Sequence, residues 1–294
     1  MLKSFRILFL AFLVLGTVQS SISQNVDSDT FKGLKFRNIG PALTSGRIAD
    51  IVIHPDNASV WYVAVGSGGV WKTENAATTW KPIFDKQTSY SIGCITLDPS
   101  NPHRIYVGTG ENVGGRHVGF GDGIYVSEND GKTWTNLGLK NSEHISKIIV
   151  HPSDPNIIWV ASQGPLWSKG GERGVYKSID GGKTWKRTLG DTEWTGATDL
   201  LIDPRDPDVL YAATWQRHRT VAMYLGGGPG SGIHKSTDGG ETWTKLTTGI
   251  PKSNLGKIGL AMSHFDPNTI YAAIELDRTK GGVFISKNQG LTWK

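Results

Sequence analysis

The sequence predicts an all-β protein folded as a β-propeller with four-stranded blades. The first observation is an eight-residue motif, here called the box, which occurs five times and ends in tryptophan each time. Its pattern is Ser or Thr, any residue, Asp or Asn, any residue, usually Gly, any residue, Thr and Trp. The five boxes occupy residues 73–80, 127–134, 178–185, 236–243 and 286–293. Five copies of one unit indicate a repeat protein.

The second observation is that each box follows three short runs of β-branched and aromatic residues. In the first unit these runs are 48–53, 60–64 and 69–71, and His54-Pro55 separates the first two. Proline cannot donate to a strand ladder, so it marks where the first strand ends. A fourth strand is predicted to begin at each box tryptophan. The predicted blades are about 40–85, 86–139, 140–190, 191–248 and 249–294, the last incomplete.

The spacing of the box tryptophans is the third observation. They lie 54, 51, 58 and 50 residues apart, which leaves room for four short strands in every unit. A β-sandwich is the alternative, but it would not require five matching units. The propeller is therefore the predicted fold of residues 24–294.

Residues 1–23 have the pattern of a secretory signal peptide. Lys3 and Arg6 precede an unbroken apolar run over 7–15, and small residues follow it near Ser20. The run is too short to span a membrane as a finished helix. We therefore predict export to the periplasm, the cell surface or the medium, with no stable transmembrane segment in this chain.

Composition excludes several classes of function. The formal net charge is +5, and removal of Lys3 and Arg6 with the leader leaves +3. No cluster of basic residues interleaved with aromatics occurs, so nucleic acid is not an expected partner. Cys94 is the single cysteine, which rules out an intrachain disulfide. The eight histidines lack zinc spacing, and no calcium-loop spacing accompanies the boxes, so neither a metal nor a cofactor is expected.

The boxes themselves are interpreted as structural. An Asp or Asn oxygen can accept hydrogen bonds from the backbone of the turn, Gly permits positive φ, and Trp is expected to pack across its blade. The predicted structural residues are Asn75, Trp80, Asn129, Trp134, Asp180, Trp185, Asp238, Trp243, Asn288 and Trp293.

The boxes resemble the Asp-box or BNR repeats of bacterial sialidases, xyloglucan-cleaving glycoside hydrolases, photosystem II assembly propellers and sortilin-type receptors. Over about 31–294 the chain is similar to exported bacterial proteins described as sortilin N-terminal-like or BNR glycosyl hydrolase-like. The phrases that carry this similarity are Ser45-Gly-Arg-Ile48, Gly108-Thr-Gly-Glu-Asn112, Glu172-Arg-Gly-Val-Tyr176 and Ala213-Thr-Trp-Gln216. The resemblance implies more than five blades, hence a fragment of a larger propeller. Alternatively, residues 31–38 supply the missing strand of the last blade.

Propeller topology separates the loops into two faces. If the first strand runs down the axis, the loops between strands two and three and those leading into each blade share one face, here called the top face. The irregular stretches 111–122, 163–173 and 216–231 belong to it, and long loops on a rigid scaffold commonly bind ligands. Three tryptophans there are not explained by the repeat and either stack on sugars or pack loops onto blades. The predicted ligand-binding residues are Arg47, Glu111, Asn112, Arg116, His144, Trp167, Arg173, Trp194, Trp215 and Arg217.

Two functions fit this reading. The first is an exported binding or scaffold module that recognises a peptide, a protein or a glycan on the top face. The alternative is a xyloglucanase- or sialidase-like glycoside hydrolase, which needs two carboxylates; Glu111, Asp122 and Glu172 are the candidates by location. The resemblance to xyloglucan hydrolases implies a catalytic Asp in the loop after the second strand of blade one, yet residues 65–68 contain no carboxylate. A sialidase implies three arginines, of which only Arg47 can be matched.

Overall fold

The computed structural model describes residues 27–34, 46–190, 193–276 and 281–294. A 3-10 helix, Ser28–Phe31, precedes the strands, and Asp27 caps it by accepting the Thr30 N–H at 3.0 Å. The strands are β1 (Ile48–Ile53), β2 (Trp61–Val65), β3 (Gly69–Thr73), β4 (Lys81–Pro82), β5 (Ile92–Asp98), β6 (Asn101–Thr109), β7 (Ile124–Ser127), β8 (Thr135–Asn136), β9 (Ile145–Val150), β10 (Ile158–Ser162), β11 (Gly174–Ser178), β12 (Lys186–Leu189), β13 (Thr195–Asp203), β14 (Asp206–Gln216), β15 (His218–Arg219), β16 (Tyr224–Leu225), β17 (Gly232–Ser236), β18 (Thr244–Leu246), β19 (Ile258–Met262), β20 (Ile270–Ile274) and β21 (Gly282–Ser286).

These strands form five antiparallel sheets that follow one another along the chain. The sheets are β1-β2-β3-β4, β5-β6-β7-β8, β9-β10-β11-β12, β13-β14-β17-β18 and β19-β20-β21. The first strand of each sheet contacts the first strand of the next, so these strands line a common axis. This is the blade arrangement of a β-propeller, as the repeat predicted. The hairpin β15-β16 is an addition within the top-face stretch of blade four.

The hydrophobic core is divided among the spaces between consecutive blades. Ala64 of blade one packs in one cluster with Ile95 and Ile105 of blade two, and three similar clusters join the later pairs of blades. When another sheet packs against each face of a blade, the side chains on both faces of its strands are buried. This explains why all of β10 is buried. Each blade is therefore stabilised mainly by its neighbours.

The boxes form the turns between the third and fourth strands. In the third box, Ser178 Oγ accepts the Gly182 N–H at 2.8 Å, and Asp180 Oδ1 accepts the Thr184 N–H at 2.9 Å. Gly181 and Gly182 have φ of 74° and 88°, values that L side chains disfavour. The Gly181 N–H donates to the Asn156 carbonyl at 3.0 Å, in the turn that follows the first strand. In the other boxes the corresponding backbone N–H donates to a backbone carbonyl in the same way: Ala76 to Ser59, Asp130 to His103, Gly239 to Asp208 and Gln289 to Asn268.

Because every box is bonded either to the turn after the first strand or to the beginning of the second strand, both kinds of turn lie at one end of the propeller. The loops between strands two and three and those leading into each blade consequently lie at the opposite end. This is the division into bottom and top faces that the sequence predicted.

The box tryptophans of blades two, three and four contact the preceding blade, which corrects the expectation that they pack across their own. Trp134 Nε1 donates to the Ile83 carbonyl at 2.8 Å, and Trp185 Nε1 donates to the Leu137 carbonyl at 2.8 Å. Trp243 Nε1 reaches Thr188 Oγ1 of blade three at 3.2 Å. In each case the indole fastens one blade to the fourth strand of the blade before it.

Several expectations concern residues at the ends of the chain. The signal peptide over 1–23 lies outside the described residues. Of the alternative strand over 31–38, Phe31 belongs to the 3-10 helix and 35–38 lie outside the described residues. In the last blade, Ile285 and Lys294 exchange backbone hydrogen bonds of 2.9 and 3.1 Å, so the pairing of a fourth strand begins there.

Within the described ranges, no helix has the length and apolar character needed to cross a membrane.

Candidate functional site

The top face is covered in part by residues 111–122, here called the blade-two loop. Its carbonyl groups accept bonds from distant blades: Lys257 Nζ donates to Asn112 O at 2.6 Å, and Arg217 Nη1 donates to Val113 O at 3.1 Å. Its Arg116 donates to Val221 O at 3.0 Å. A loop that leaves blade two and is bonded to blades four and five must cross the top end of the axis. The sequence identified the loop but not its path.

Glu111 is the best-placed carboxylate of the top face. It is 2% exposed, forms an ion pair with Arg47, and accepts the Gly119 N–H at 3.2 Å and the Ser67 hydroxyl at 3.4 Å. A Cβ on Gly66 would lie 2.4 Å from Glu111 Oε1. Glu111 thus brings a carboxylate from blade two to the loop 65–68 of blade one, which has none of its own. Both residues of the ion pair line a cleft of about 180 Å³.

Asp122 and Glu172, the other two catalytic candidates, have structural partners. Asp122 Oδ2 accepts the Tyr125 hydroxyl at 2.7 Å and is also bonded to Thr88. Glu172 Oε2 accepts the Asn141 N–H at 2.7 Å. Neither side chain lines the cleft that contains Glu111. The structure therefore does not bring the three candidates together.

Arg173, Arg217 and His144 lie in the interior, at 1, 0 and 0% exposure. Arg173 Nη2 donates to Pro165 O at 2.8 Å, and Arg217 Nη2 donates to Gly164 O at 3.0 Å. Burial lowers the pKa of Arg173 to about 10, that of Arg217 to about 9 and that of His144 to about 3, so the imidazole is neutral at pH 7. These predicted ligand-binding residues support the top-face loops from below.

The three unassigned tryptophans differ in their surroundings. Trp215 is 2% exposed and its Nε1 donates to Gly226 O at 2.9 Å, so its indole packs a loop onto the blade. Of the two interpretations of this tryptophan, the structure agrees with loop packing, because the cations Arg217 and Lys257 also cover the ring, at 5.1 and 5.5 Å from its centroid. Trp194 is half-buried, and Trp167 is 38% exposed.

A larger cleft, of about 450 Å³, lies between blades three and four and has Trp194 in its wall. The ring centroids of Trp194 and His218 are 3.8 Å apart, so the imidazole packs against the indole and supports it. Hydrogen-bonding groups of Gln216, His234 and Lys245 complete the lining. Burial, followed by repulsion from Lys245, lowers the pKa of His234 to about 4, so this histidine is neutral at pH 7. Because the cleft includes the ends of β12 and β14 and the start of β13, it opens near the top face.

Glu143 is a candidate that the sequence reading missed. It is half-buried in the loop leading into blade three, and burial raises the pKa of its carboxyl group. Its Oε2 lies 3.9 Å from Nε2 of His144. The neighbouring residues are polar and the loop is short, so the position resembled an ordinary solvated turn. Its φ of 54°, unusual for a residue with a side chain, became visible only in the structure.

Among the described residues, no three His, Cys, Asp or Glu side chains come close enough to hold a metal ion. The arrangement therefore offers an aromatic wall, neutral hydrogen-bonding groups and two carboxylates in different environments. Together with the five sheets and the boxes, these features define the class of protein as an Asp-box β-propeller with candidate sites at its top face.

Comparison with known proteins agrees with this class. The family described as "Sortilin, neurotensin receptor 3" matches residues 122–227, and the BNR/Asp-box repeat matches residues 234–245. These two matches support the prediction of a BNR and sortilin-like propeller.

The relatives of this chain include xyloglucanases. A probable oligoxyloglucan-reducing end-specific xyloglucanase of Neosartorya fischeri is 24% identical over 221 residues, which cover 68% of this chain and 24% of the relative. Xyloglucanase Xgh74A of Acetivibrio thermocellus is 23% identical over 255 residues, covering 78% of this chain and 29% of the relative. The chain thus spans less than a third of the length of these two relatives.

Solved structures show the same fold. An ancestral GH74 enzyme superposes with a TM-score of 0.64 at 19% identity, over 85% of this chain and 31% of that one. The GH74 enzyme of Niastella koreensis gives 0.62 at 20% identity, over 83% and 37%. YCF48 bound to D1 peptide gives 0.52 at 16% identity, over 88% and 70%. At these identities the likeness concerns the fold alone.

Proposed function

We propose that the top face of this propeller binds a polysaccharide of the xyloglucan class. The observation that carries the proposal is the cleft of about 450 Å³ with Trp194 in its wall. An indole provides a flat apolar surface on which the C–H face of a sugar ring can pack, and its support by His218 keeps it in place. The xyloglucanases among the relatives favour this ligand class over a peptide.

The polar lining of the cleft suits a neutral sugar chain. Gln216 and the neutral His234 can donate hydrogen bonds to hydroxyl groups or accept bonds from them, whereas no carboxylate among the described residues lines the cleft. A few placed polar groups on a mostly apolar wall are typical of sites that fix the orientation of a small ligand segment. If residues 1–23 direct export, the protein meets this polymer outside the cytoplasm.

The binding proposal is tested by affinity electrophoresis and calorimetry with xyloglucan and its oligosaccharides. Trp194→Ala removes the aromatic wall and should weaken binding at least tenfold. Trp80→Ala is the matched control, since this indole is 36% exposed and lies at the bottom face. Absence of binding to xyloglucan, cellulose and xylan would refute the proposal, as would equal effects of the two substitutions.

A second candidate function is hydrolysis of a polymer that extends to the separate cleft containing Glu111, and it is favoured by the contrast between Glu111 and Glu143. A glycosidase needs one carboxylic acid that is protonated and one carboxylate. Burial raises the pKa of Glu143, as a general acid requires, while Glu111 is paired with Arg47. The two loops are joined, because the Gly121 N–H donates to the Glu143 carbonyl at 2.7 Å.

In such a reaction, Glu143 would give its proton to the leaving glycosidic oxygen, and Glu111 would act as base or nucleophile. Release of reducing ends should then fall at least about 100-fold in Glu143→Gln with binding retained. It should also decline as pH rises through the raised pKa of Glu143. Glu128→Gln, at an exposed ion pair of the second box, is the control. Binding without any release of reducing ends would leave the binding function and eliminate the hydrolase.

A further inference from the structure

Buried polar atoms without hydrogen-bond partners are concentrated beneath the blade-two loop. Most of those in the described part of the chain belong to the loops leading into blade three and to the top-face stretches of blades three and four. They include Ser142 Oγ, both ring nitrogens of His144, Gln163 Oε1, Arg173 Nη1 and Arg217 Nε. Buried polar groups are paired in nearly all native structures, so such a concentration requires a physical explanation.

These side chains meet around one short segment, residues 163–165. The Gln163 N–H donates to the His144 carbonyl at 2.8 Å. Arg217 Nη2 donates to the Gly164 carbonyl, and Arg173 Nη2 donates to the Pro165 carbonyl. The side chain of Arg173 also lies so close to Gly164 that a Cβ there would be 2.5 Å from it. The two guanidinium groups therefore meet at this segment, and the loop that carries Ser142 and His144 is bonded to it; these residues are here called the cluster.

The cluster carries an excess of positive charge. Both guanidinium groups are fully buried, and within the described residues neither forms an ion pair with a carboxylate. Glu143 is the nearby acid, but the side chain within ion-pair distance of its carboxylate is that of His144, at 3.9 Å. Burial and mutual repulsion lower the pKa of Arg217, which reflects the cost of placing two cations together away from water.

We propose that this cluster binds one small monovalent anion of halide size. Donors from three elements are available for it: Arg173 Nη1, Arg217 Nε, and a ring N–H of His144 or the hydroxyl of Ser142. An anion accepts all of these bonds and also offsets the buried charge, whereas a water molecule would satisfy the donors but leave the charge unbalanced. The inference is independent of the glycan that the top face is proposed to bind.

The anion would act on the blade-two loop through Arg217. The same guanidinium donates from Nη1 to Val113 O, in the part of the loop that crosses the axis. An anion that holds Arg217 in place would keep this loop closed over the top face. Halide binding should therefore stabilise the folded chain as any specific ligand does.

The test compares thermal unfolding of the unaltered chain in sodium chloride, sodium bromide and sodium gluconate at equal ionic strength. Gluconate, an organic anion much larger than either halide, is the reference. A halide at about ten times its Kd multiplies the folded-to-unfolded ratio about elevenfold, which raises Tm by about 3–6 °C for a chain of this size. Crystals grown in bromide should show an anomalous peak between Arg173 and Arg217. Equal Tm in the three salts, or bromide only at surface sites, would overturn the proposal.

Variants locate the effect. Arg217→Gln should abolish the halide dependence of Tm, and Ser142→Ala, a smaller change if the first variant does not fold, should raise the halide Kd at least about threefold. Ser153→Ala, at an exposed turn of the bottom face, is the matched control and should behave as the unaltered chain. A halide response that survives in Ser142→Ala and in any folded Arg217→Gln protein would place the anion elsewhere.

Discussion

Replacement of Trp185 by alanine tests whether the box tryptophans hold the blades together. The indole is half-buried against the preceding blade, packs beside Leu137 and Gly138, and donates to the Leu137 carbonyl at 2.8 Å. Replacing a fully buried tryptophan by alanine lowers the free energy of unfolding by about 3–5 kcal/mol. Because part of this ring is exposed, the apolar contribution is smaller, at about 1.5–3 kcal/mol, and loss of the hydrogen bond adds about 0.5–1.5 kcal/mol. We therefore expect Trp185→Ala to lower the free energy of unfolding by about 2–4.5 kcal/mol in total.

The assay is guanidinium chloride unfolding followed by far-UV circular dichroism, since fluorescence would itself change with the loss of an indole. Trp80→Ala is the comparison, because Trp80 has no described blade before it and is 36% exposed. Trp80→Ala should lower the free energy of unfolding by about 1 kcal/mol or less. The transition midpoint should shift in Trp185→Ala with the denaturant slope unchanged. If the two substitutions cost the same, the fastening of one blade to the next is not the role of the box tryptophan.

Two further predictions concern the boxes. Ala77 in the first box has φ of 69°, at the position where the other boxes have glycine. Ala77→Gly should therefore stabilise the chain by about 0.5–1 kcal/mol. An unfolding midpoint that does not rise would contradict this prediction. Hydrogen bonds from the Thr184 side chain and backbone lower the pKa of Asp180 to about 2. Since its pKa in the folded chain is below the unfolded value of about 4, its contribution to stability is complete above that pH and is lost as pH falls toward 2. Asp180→Asn should remove this part of the acid dependence, and acid melts that are unchanged by the substitution would count against it.

The sequence predicted the blades well because their determinants are local. Strand runs, turn prolines and the box glycines act within hairpins of a few dozen residues, and the same rules apply in every unit. Even the separation of top and bottom faces followed from the alternation of antiparallel strands. The bond from Gly181 to the Asn156 carbonyl shows that the two bottom turns of a blade lie together.

The candidate site was predicted less well because its contacts join distant parts of the chain. Arg217 and Trp215 were expected to meet ligand, since arginine is commonly exposed and an unassigned tryptophan in a loop suggests a binding surface. Arg217 instead donates to the carbonyl of Val113, 104 residues earlier, and Trp215 lies under cations from two segments. No local pattern indicates that one loop will cover another.

The sequence by itself determined the propeller fold, the order of its blades and the structural role of the boxes, because each depends on interactions between near neighbours in the chain. The tertiary structure decided which top-face side chains are buried and which line a cleft. It placed Glu111 against Arg47 and Gly66, left Trp194 at the edge of a cleft, and enclosed Arg173 and Arg217 without a carboxylate partner. The physical reason is that burial and charge pairing depend on the paths of loops from different blades, and these paths are set only when the blades pack around the axis.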